Sequence, residues 1–405
     1  MRILWTLPYL PWPTTSGGKT RQYHLLRSLA ARGHRITLLV QAKTDVDQAT
    51  RNALEPFLEQ LIVLPRRPLR SLKTLMAVVA APYPMLASIN GLAPQLERYF
   101  DQLLTTRWDV VQIEHSYAFE PYEAALRRHG QPFLLTEHNI ESALGAASYD
   151  RFPAWLKPFT AYDQWRYRRW EKRVFAQATQ LVAVTEADAE QMQTLFQRQA
   201  SVVVNGVDCP HYATVQPAFD SQRLLFIGNY EYSPNLDAVE WAMEAIMPKV
   251  WALNPDVRLA VCGFGLPAQW RERWPDPRVD FQGFVPDLRA LQEQTAVFFA
   301  PLRQGGGSKL KVLEAMAAGL PVVTTGQGVS GLAVTNGQHY LGSETADGLA
   351  HLLADAVRDP AGLQTLSDAA RRYVRGHHDW AVAAAQLEHV YSRLLQPMED
   401  TSVCA

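Results

Sequence analysis

The chain has 405 residues, is 47% hydrophobic and 20% charged, and carries a formal net charge of -1. That is the profile of an ordinary globular protein with room for two or three domains, and it offers no global positive field for nucleic acid. Its 3 cysteines, Cys209, Cys262 and Cys404, make no CxxC pair and no metal-ligand spacing, which points to a reducing compartment.

The opening MRILWTLPYLPWP is too short and too proline-broken for a signal peptide, and no apolar run reaches the ~20 residues of a spanning helix, so a cytoplasmic protein is expected. Arg2 to Leu7 reads as a strand. A Pro/Thr/Gly loop, Pro8 to Gly18, precedes a helix over Thr20 to Ala31 with apolar residues at Tyr23, Leu26, Leu29 and Ala30. Gly33 stops it, and Ile36 to Val40 is a second buried strand. This βαβ unit predicts a parallel sheet. Leu61 to Leu64, Val110 to Ile113, Phe133 to Leu135, Leu181 to Val184 and Val202 to Val204 continue it, with helices between. Asn205-Gly206 is a turn signal. A second series follows, with strands at Leu224 to Ile227, Leu259 to Cys262, Val279 to Phe281, Ala296 to Phe299 and Pro321 to Thr324. Its helices are Leu236 to Val250, Asp287 to Glu293 and Lys309 to Ala318, and three more close the chain at Thr345 to Val357, Ala361 to Arg375 and Trp380 to Leu395. The fold class is therefore α/β, with two doubly wound Rossmann-like domains split near Cys209 to Ser221 and facing a central cleft. Ligands in such sheets bind beyond the carboxyl ends of the strands.

Two glycine motifs mislead. Ser16 to Thr20 (SGGKT) resembles the end of a phosphate-binding P-loop, but the first glycine it requires would fall on Pro13. Gly263 to Ala268 matches a relaxed dinucleotide fingerprint with Asp280 downstream, yet it opens no domain and reads as a strand-to-helix turn. His115 and His138 each stand just past an apolar strand, where donors and bases collect. Glu137, His138 and Glu141 mimic a metal cluster without a further ligand. Arg66 to Tyr83 and Trp155 to Arg173 mix basic and apolar or aromatic residues; one reading is contact with a membrane surface, the other a helix over the first sheet with its basic side in water.

The most informative stretch is Ala300 to Thr325. A strand leads into Gly305 to Gly307, Ser308 stands at an N-cap position, and a helix carries Lys309, Lys311 and Glu314 on its first turns. Free N–H groups and the helix dipole favour an anion there. The residue set suits a diphosphate beside a hydroxyl-bearing ribose or sugar.

Taken in order, Arg21 to His34, Asp109 to His115, Pro132 to His138, Leu181 to Asp188, Val203 to Asp208, Phe226 to Gly228, Gly283 to Asp287 and Leu313 to Val323 carry a resemblance across nearly the whole chain. The chain resembles GT-B glycosyltransferases of the large retaining group called family 4 (group 1). Its GGGSKLKVLEAM wording resembles bacterial enzymes of exopolysaccharide assembly. The resemblance implies an N-terminal acceptor-side domain over 1–205, a donor domain over 206–378, a helix over 379–396 crossing back to the first domain, and a tail over 397–405. It implies a nucleoside-diphosphate-sugar donor, UDP- or GDP-linked, with no cofactor and no metal. Glu314 matches the residue that binds the donor ribose, and with His138, near the transferred sugar, it is the catalytic pair expected. Gly283 to Pro286, with Phe284 and Val285, match the loop that meets the base. Gly17, Gly18, Gly228, Gly306, Gly307 and Ser308 fall around the donor, and His115, Glu137 and Asn139 on the acceptor side. The acceptor implied is a glycan or lipid-linked sugar, with peripheral contact at the inner membrane through the N-terminal domain; oligomeric state stays open.

Two departures stand out. The glutamate usual eight residues before Glu314 is replaced by Gly306, and Asn229 to Asn235 lacks the usual Arg and Lys. Unpaired buried charge costs several kcal/mol, so Lys309, with Arg303 or Lys311, is expected to neutralise the diphosphate instead. Lys309 and Lys311 are two residues apart and cannot share a helical face, so at least one of them is expected not to be a ligand. Alternatives left open are a GT-B sugar-nucleotide epimerase, a nicotinamide-dependent oxidoreductase and a non-catalytic nucleotide-sugar binding protein.

Overall fold

The computed structural model describes residues 1–43, 45–67, 72, 76, 83–85, 93, 95–144, 157–305 and 310–395. The chain divides into two compact units. One comprises Met1–Val204 and the stretch from Ala383 onward, and the other Asn205–Val382.

In the first unit, β1 (Arg2–Leu7), β2 (Arg35–Ala42), β3 (Gln60–Pro65), β4 (Val110–Glu114), β5 (Leu134–Thr136), β6 (Gln180–Ala183) and β7 (Ser201–Val202) form one sheet in the order β3-β2-β1-β4-β5-β6-β7. All pairings are parallel, with Ile3 level with Ile36 on one side and Val110 on the other. Helices cover both faces of such a sheet, so its strands read as continuous apolar runs rather than alternating ones; Ile3, Leu4, Trp5 and Ile36 are fully buried. The strand order reverses between β1 and β4, and there a doubly wound sheet opens a crevice at its carboxyl edge.

The second unit repeats the plan. β8 (Arg223–Ile227), β9 (Arg258–Cys262), β10 (Val279–Gly283), β11 (Val297–Ala300), β12 (Val322–Thr324) and β13 (Leu341–Gly342) are parallel in the order β10-β9-β8-β11-β12-β13. The reversal lies between β8 and β11. Phe298 and Phe299 are fully buried under it; truncating either to Ala costs ~3–5 kcal/mol.

Three details differ from the sequence reading. The first helix spans Gly17–Ala31, so Gly17 and Gly18 are its first turn rather than loop; the Thr20 N–H bonds the Ser16 carbonyl at 2.9 Å and closes that turn. The expected helix over 236–250 is Ser233–Trp241, a wide π turn at Ala242–Ile246, then Met247–Leu253. Pro248 has no N–H to give the preceding turn, which accounts for the widening. β13 has only two residues and no apolar run to announce it. Most of Arg66 to Tyr83, Gly306 to Lys309, Trp155 and the chain beyond Leu395 lie outside the described residues.

Candidate active site

Each unit gathers side chains at the carboxyl edge of its sheet, at the point where strand order reverses. In the first unit, β4 ends on Glu114, a fully buried carboxylate. Its Oε2 accepts the Gln22 amide at 2.6 Å and lies 3.2 Å from His138 Nε2, and its Oε1 accepts the Gln112 amide at 2.5 Å. Trp5 Nε1 donates to Gln22 Oε1 at 3.0 Å, which fixes which way that amide points. Tyr391, on the last helix (Trp380–Leu395), donates to Gln112. His138 Nε2 lies 3.2 Å from both the Glu114 carboxylate and the Gln22 amide nitrogen; the charged acceptor outweighs the neutral donor and favours a proton on Nε2, which leaves Nδ1 as the acceptor. Nδ1 faces Gly18: a Cβ there would stand 3.6 Å from it and 3.1 Å from the Tyr9 hydroxyl.

His115 follows β4 with φ 69, a left-handed conformation uncommon for a side-chain-bearing residue. Strain of this kind persists where the surroundings over-determine it, and it collects at functional sites. Its ring is 4.4 Å from the His138 ring, and its Nε2 is 3.1 Å from the Tyr9 hydroxyl. Burial, then His138 and Arg21, hold its pKa well below the usual histidine range, so the ring is neutral. Behind it, Glu137 takes the Ser116 N–H at 2.5 Å, and its other oxygen is 4.0 Å from His115 Nδ1. Glu137 is buried, and burial with Glu171 nearby pushes it well above the carboxylate range. It therefore backs His115 rather than reaching solvent. Asn139 is half-buried beside this group in sequence. Arg21, also buried, donates to the Val204 carbonyl at 2.9 Å; burial lowers its pKa to about 10, against the pull of Glu114 and Tyr9.

In the second unit three glycines terminate neighbouring strands. The Gly228 N–H bonds the Cys262 carbonyl at 3.0 Å, and the Gly263 N–H bonds the Gly283 carbonyl at 2.7 Å. Gly263 has φ 137, and a Cβ there would fall 1.7 Å from the Gly228 oxygen, so no other residue fits. Phe284 follows with 67% of its surface exposed, and Val285 packs inward on the core.

Glu314 and Lys311 lie one turn apart on the helix Leu310–Ala317, which follows β11. Glu314 is half-buried at the rim; loss of hydration raises its carboxyl to about 7, with Lys311 pulling the other way. The Lys311 ammonium donates to Asn235 Oδ1 and sits 4.8 Å from the Phe226 ring centre. Asn229 to Asn235 lacks a cation of its own, and this side chain from another helix places one against it. Arg303 is differently disposed. It grips Asp237 through Nε at 3.1 Å and through Nη2, and lies over Trp241, so its charge is already matched. Gly306, Gly307, Ser308 and Lys309 lie outside the described residues.

Sequence reasoning missed Tyr9, Gln22, Glu114 and Asn235. A charge ending a buried strand (VVQIE) and a glutamine in helical register with Leu25, Leu26 and Leu29 were the available signals for two of them. Tyr9 sits in an irregular loop and carries no such signal.

Comparison with known proteins agrees with this geometry. Residues 15–210 match the family model described as glycosyltransferase family 4, and residues 221–359 the one described as glycosyl transferases group 1. The glycogen synthase of Mycobacterium tuberculosis is 26% identical over 424 residues, covering 96% of this chain and 94% of its own. The structure of Anabaena HepE in complex with UDP and glucose superposes with a TM-score of 0.67 at 17% identity, over 97% of this chain and 100% of that one. That of WaaG, a glycosyltransferase involved in lipopolysaccharide biosynthesis, does so with a TM-score of 0.63 at 17% identity, over 98% and 100%. These are likenesses to an α/β transferase class with two parallel sheets. The chain belongs to the family 4, group 1 glycosyltransferases and has their two-domain GT-B fold.

Proposed function

We propose that this transferase moves a sugar from a UDP- or GDP-linked donor to a glycan or lipid-linked acceptor, with retention of configuration, in bacterial polysaccharide assembly. The observation that carries the donor half is Glu314. A half-buried carboxylate one turn from a lysine, beyond the glycine-terminated ends of β8 to β10, suits a ribose diol next to a diphosphate. The exposed Phe284 offers a face for the base, and the Lys311 ammonium on Asn235 offers charge for the phosphates. The complex of HepE with UDP and glucose supports a donor of this class.

In the reaction the anomeric C–O bond breaks, and its electron pair leaves on the diphosphate. The acceptor oxygen bonds to the anomeric carbon and gives up its proton to the departing diphosphate oxygen. His138, held by Glu114 with Nδ1 basic, accepts a hydroxyl of the transferred sugar and orients it. A setting at the cytoplasmic face of the membrane is supported by Tyr162 and Trp165, 53% and 54% exposed and stacked on each other, with Arg169 over Trp165. Among the described residues no helix is long and apolar enough to cross a membrane.

Incubation with radiolabelled UDP- and GDP-sugars and cell-derived acceptors tests this reading. Label moving onto an acceptor supports it. Label confined to an epimerised nucleotide sugar, or no turnover with any donor, contradicts it.

A further inference from the structure

The last helix, Trp380–Leu395, sends one polar side chain into the core of the first sheet. Tyr391 is fully buried, and its hydroxyl donates to Gln112 Oε1 at 2.5 Å. Gln112 and Glu114 are two residues apart on β4, so both side chains leave the same face of the strand. The Gln112 amide donates to Glu114 Oε1 at 2.5 Å, with Thr136 Oγ1 also within 3.4 Å of it. Glu114 Oε2 in turn lies 3.2 Å from His138 Nε2. The direction along this row is fixed. A carboxylate only accepts, so Gln112 turns its nitrogen to Glu114 and its oxygen to Tyr391. Burial, then Glu114 and Glu388, hold the Tyr391 phenol well above its usual pKa, so it keeps the proton it donates. Packing does not call for this arrangement: strands covered on both faces are ordinarily apolar, and buried polar side chains give up hydration. Nor is the hydroxyl needed to seat the helix. Leu387, Val390 and Leu394 are buried on it, and Glu388 accepts hydrogen bonds from Arg32 and His34 at 2.7 Å each.

We infer that Tyr391 is a positioning residue for His138, acting through Gln112 and Glu114. The inference rests on the transferase reading above, in which His138 Nδ1 receives a hydroxyl of the sugar. The tautomer behind that contact is a contest, because Gln22 Nε2 stands 2.6 Å from Glu114 Oε2 and 3.2 Å from His138 Nε2. While Gln112 holds Oε1, Oε2 faces His138 and takes its Nε2 proton. A Glu114 carboxylate free to turn would let the Gln22 N–H donate to Nε2 instead. The imidazole proton would then move to Nδ1, the nitrogen that must accept from the sugar. The tyrosine hydroxyl, three hydrogen bonds away from the imidazole, restrains that turn by fixing the Gln112 amide.

Tyr391→Phe, which keeps the ring and removes the hydroxyl, tests it on two readouts. The first needs no substrate: nitrogen NMR spectra of histidine-labelled protein, with the His138 signals assigned by their loss in His138→Ala. The parent should carry the His138 proton on Nε2, and Tyr391→Phe should show a mixture of tautomers or the Nδ1 form. The second is kinetic. The kcat should fall by about 2- to 10-fold, the worth of one neutral hydrogen bond, with UDP affinity unchanged. That fall should vanish where Glu114→Gln is already present, because effects along one chain of contacts do not add. Gln112→Met cuts the same row one bond nearer to His138; it should repeat both results, and it carries the test if Tyr391→Phe does not fold. A purely structural tyrosine predicts a lower melting temperature with an unchanged His138 spectrum and a kcat loss that persists in full beside Glu114→Gln. Either of those last two results overturns the inference, as does a parent that already carries the proton on Nδ1. Absence of turnover with every donor would count against the transferase reading, and the histidine spectra would still decide the role of Tyr391.

Discussion

Substituting Gly18 separates the chemistry of the first unit from its stability. Gly18 lies in the first turn of a helix, where Gly→Ala ordinarily stabilises by ~0.5–1 kcal/mol because it restricts the unfolded chain. The added methyl would stand 3.1 Å from the Tyr9 hydroxyl and 3.6 Å from His138 Nδ1. The first distance is a few tenths of an ångström inside ordinary contact, and the hydroxyl has little room to yield because it is tied to His115 at 3.1 Å. The second places a methyl over the nitrogen assigned to the sugar. The gain from restricting the unfolded chain and the cost of this tight contact oppose each other, so Gly18→Ala is expected to melt within a few degrees of the parent while kcat/KM falls by about 10- to 100-fold, or ~1.4–2.7 kcal/mol of transition-state stabilisation. Scanning calorimetry and initial rates on the same preparation check both halves. Unchanged kcat/KM would refute the placement of His138 Nδ1 at the reacting sugar. A large loss of stability would refute the claim that the glycine serves function rather than folding.

Glu171 is buried with one oxygen unpartnered among the described residues, and burial raises it to about 7. A raised carboxyl lends the fold stability at low pH that is lost as pH climbs from the unfolded value through about 7. The loss is on the order of 2–3 kcal/mol for this group, so Glu171→Gln should flatten urea-unfolding stability between pH 5 and 8; an unaltered slope would count against its burial as a charge. Glu314 also stands at about 7, and the proposed ribose contact uses its carboxylate form, so donor affinity should rise as pH goes from 6 to 8. Lys311→Met should weaken donor binding by about tenfold and move that rise to higher pH, since Lys311 favours the ionised carboxyl; calorimetry at several pH values reads both effects. His138→Ala is expected to leave donor binding in place and to lower kcat by about 100-fold or more, a split visible in steady-state kinetics. Flotation with anionic liposomes should show association that weakens with salt and is reduced in Trp165→Ala; no association at low salt removes the membrane setting.

Parallel sheets were readable because strands covered on both faces become unbroken apolar runs, as Ile36 to Val40 and Ala296 to Phe299 show. β13 escaped because two residues have no pattern. Gly17 and Gly18 read as loop because glycine argues against helix locally, and tertiary placement of Tyr9 and His138 outweighs that preference. The helix that carries Glu314, Leu310–Ala317, was legible from its glycine run and helical composition. The polar network behind His138 was not, since Gln22, Glu114 and Tyr391 come from distant parts of the chain and meet only in the fold. Glu171 shows the same limit: it sits in WRYRRWEKR, which looks solvent-facing, yet it is fully buried.

A thermal-shift titration with UDP-, GDP-, ADP- and dTDP-sugars, run on the parent and on Glu314→Ala, tests the donor assignment most directly. A ligand that binds only the folded state raises its melting temperature by mass action. The parent should rise with a UDP- or GDP-sugar, and Glu314→Ala, melting normally by itself, should show no rise. No shift with any of the four donors, or a shift that survives in Glu314→Ala, would contradict the account.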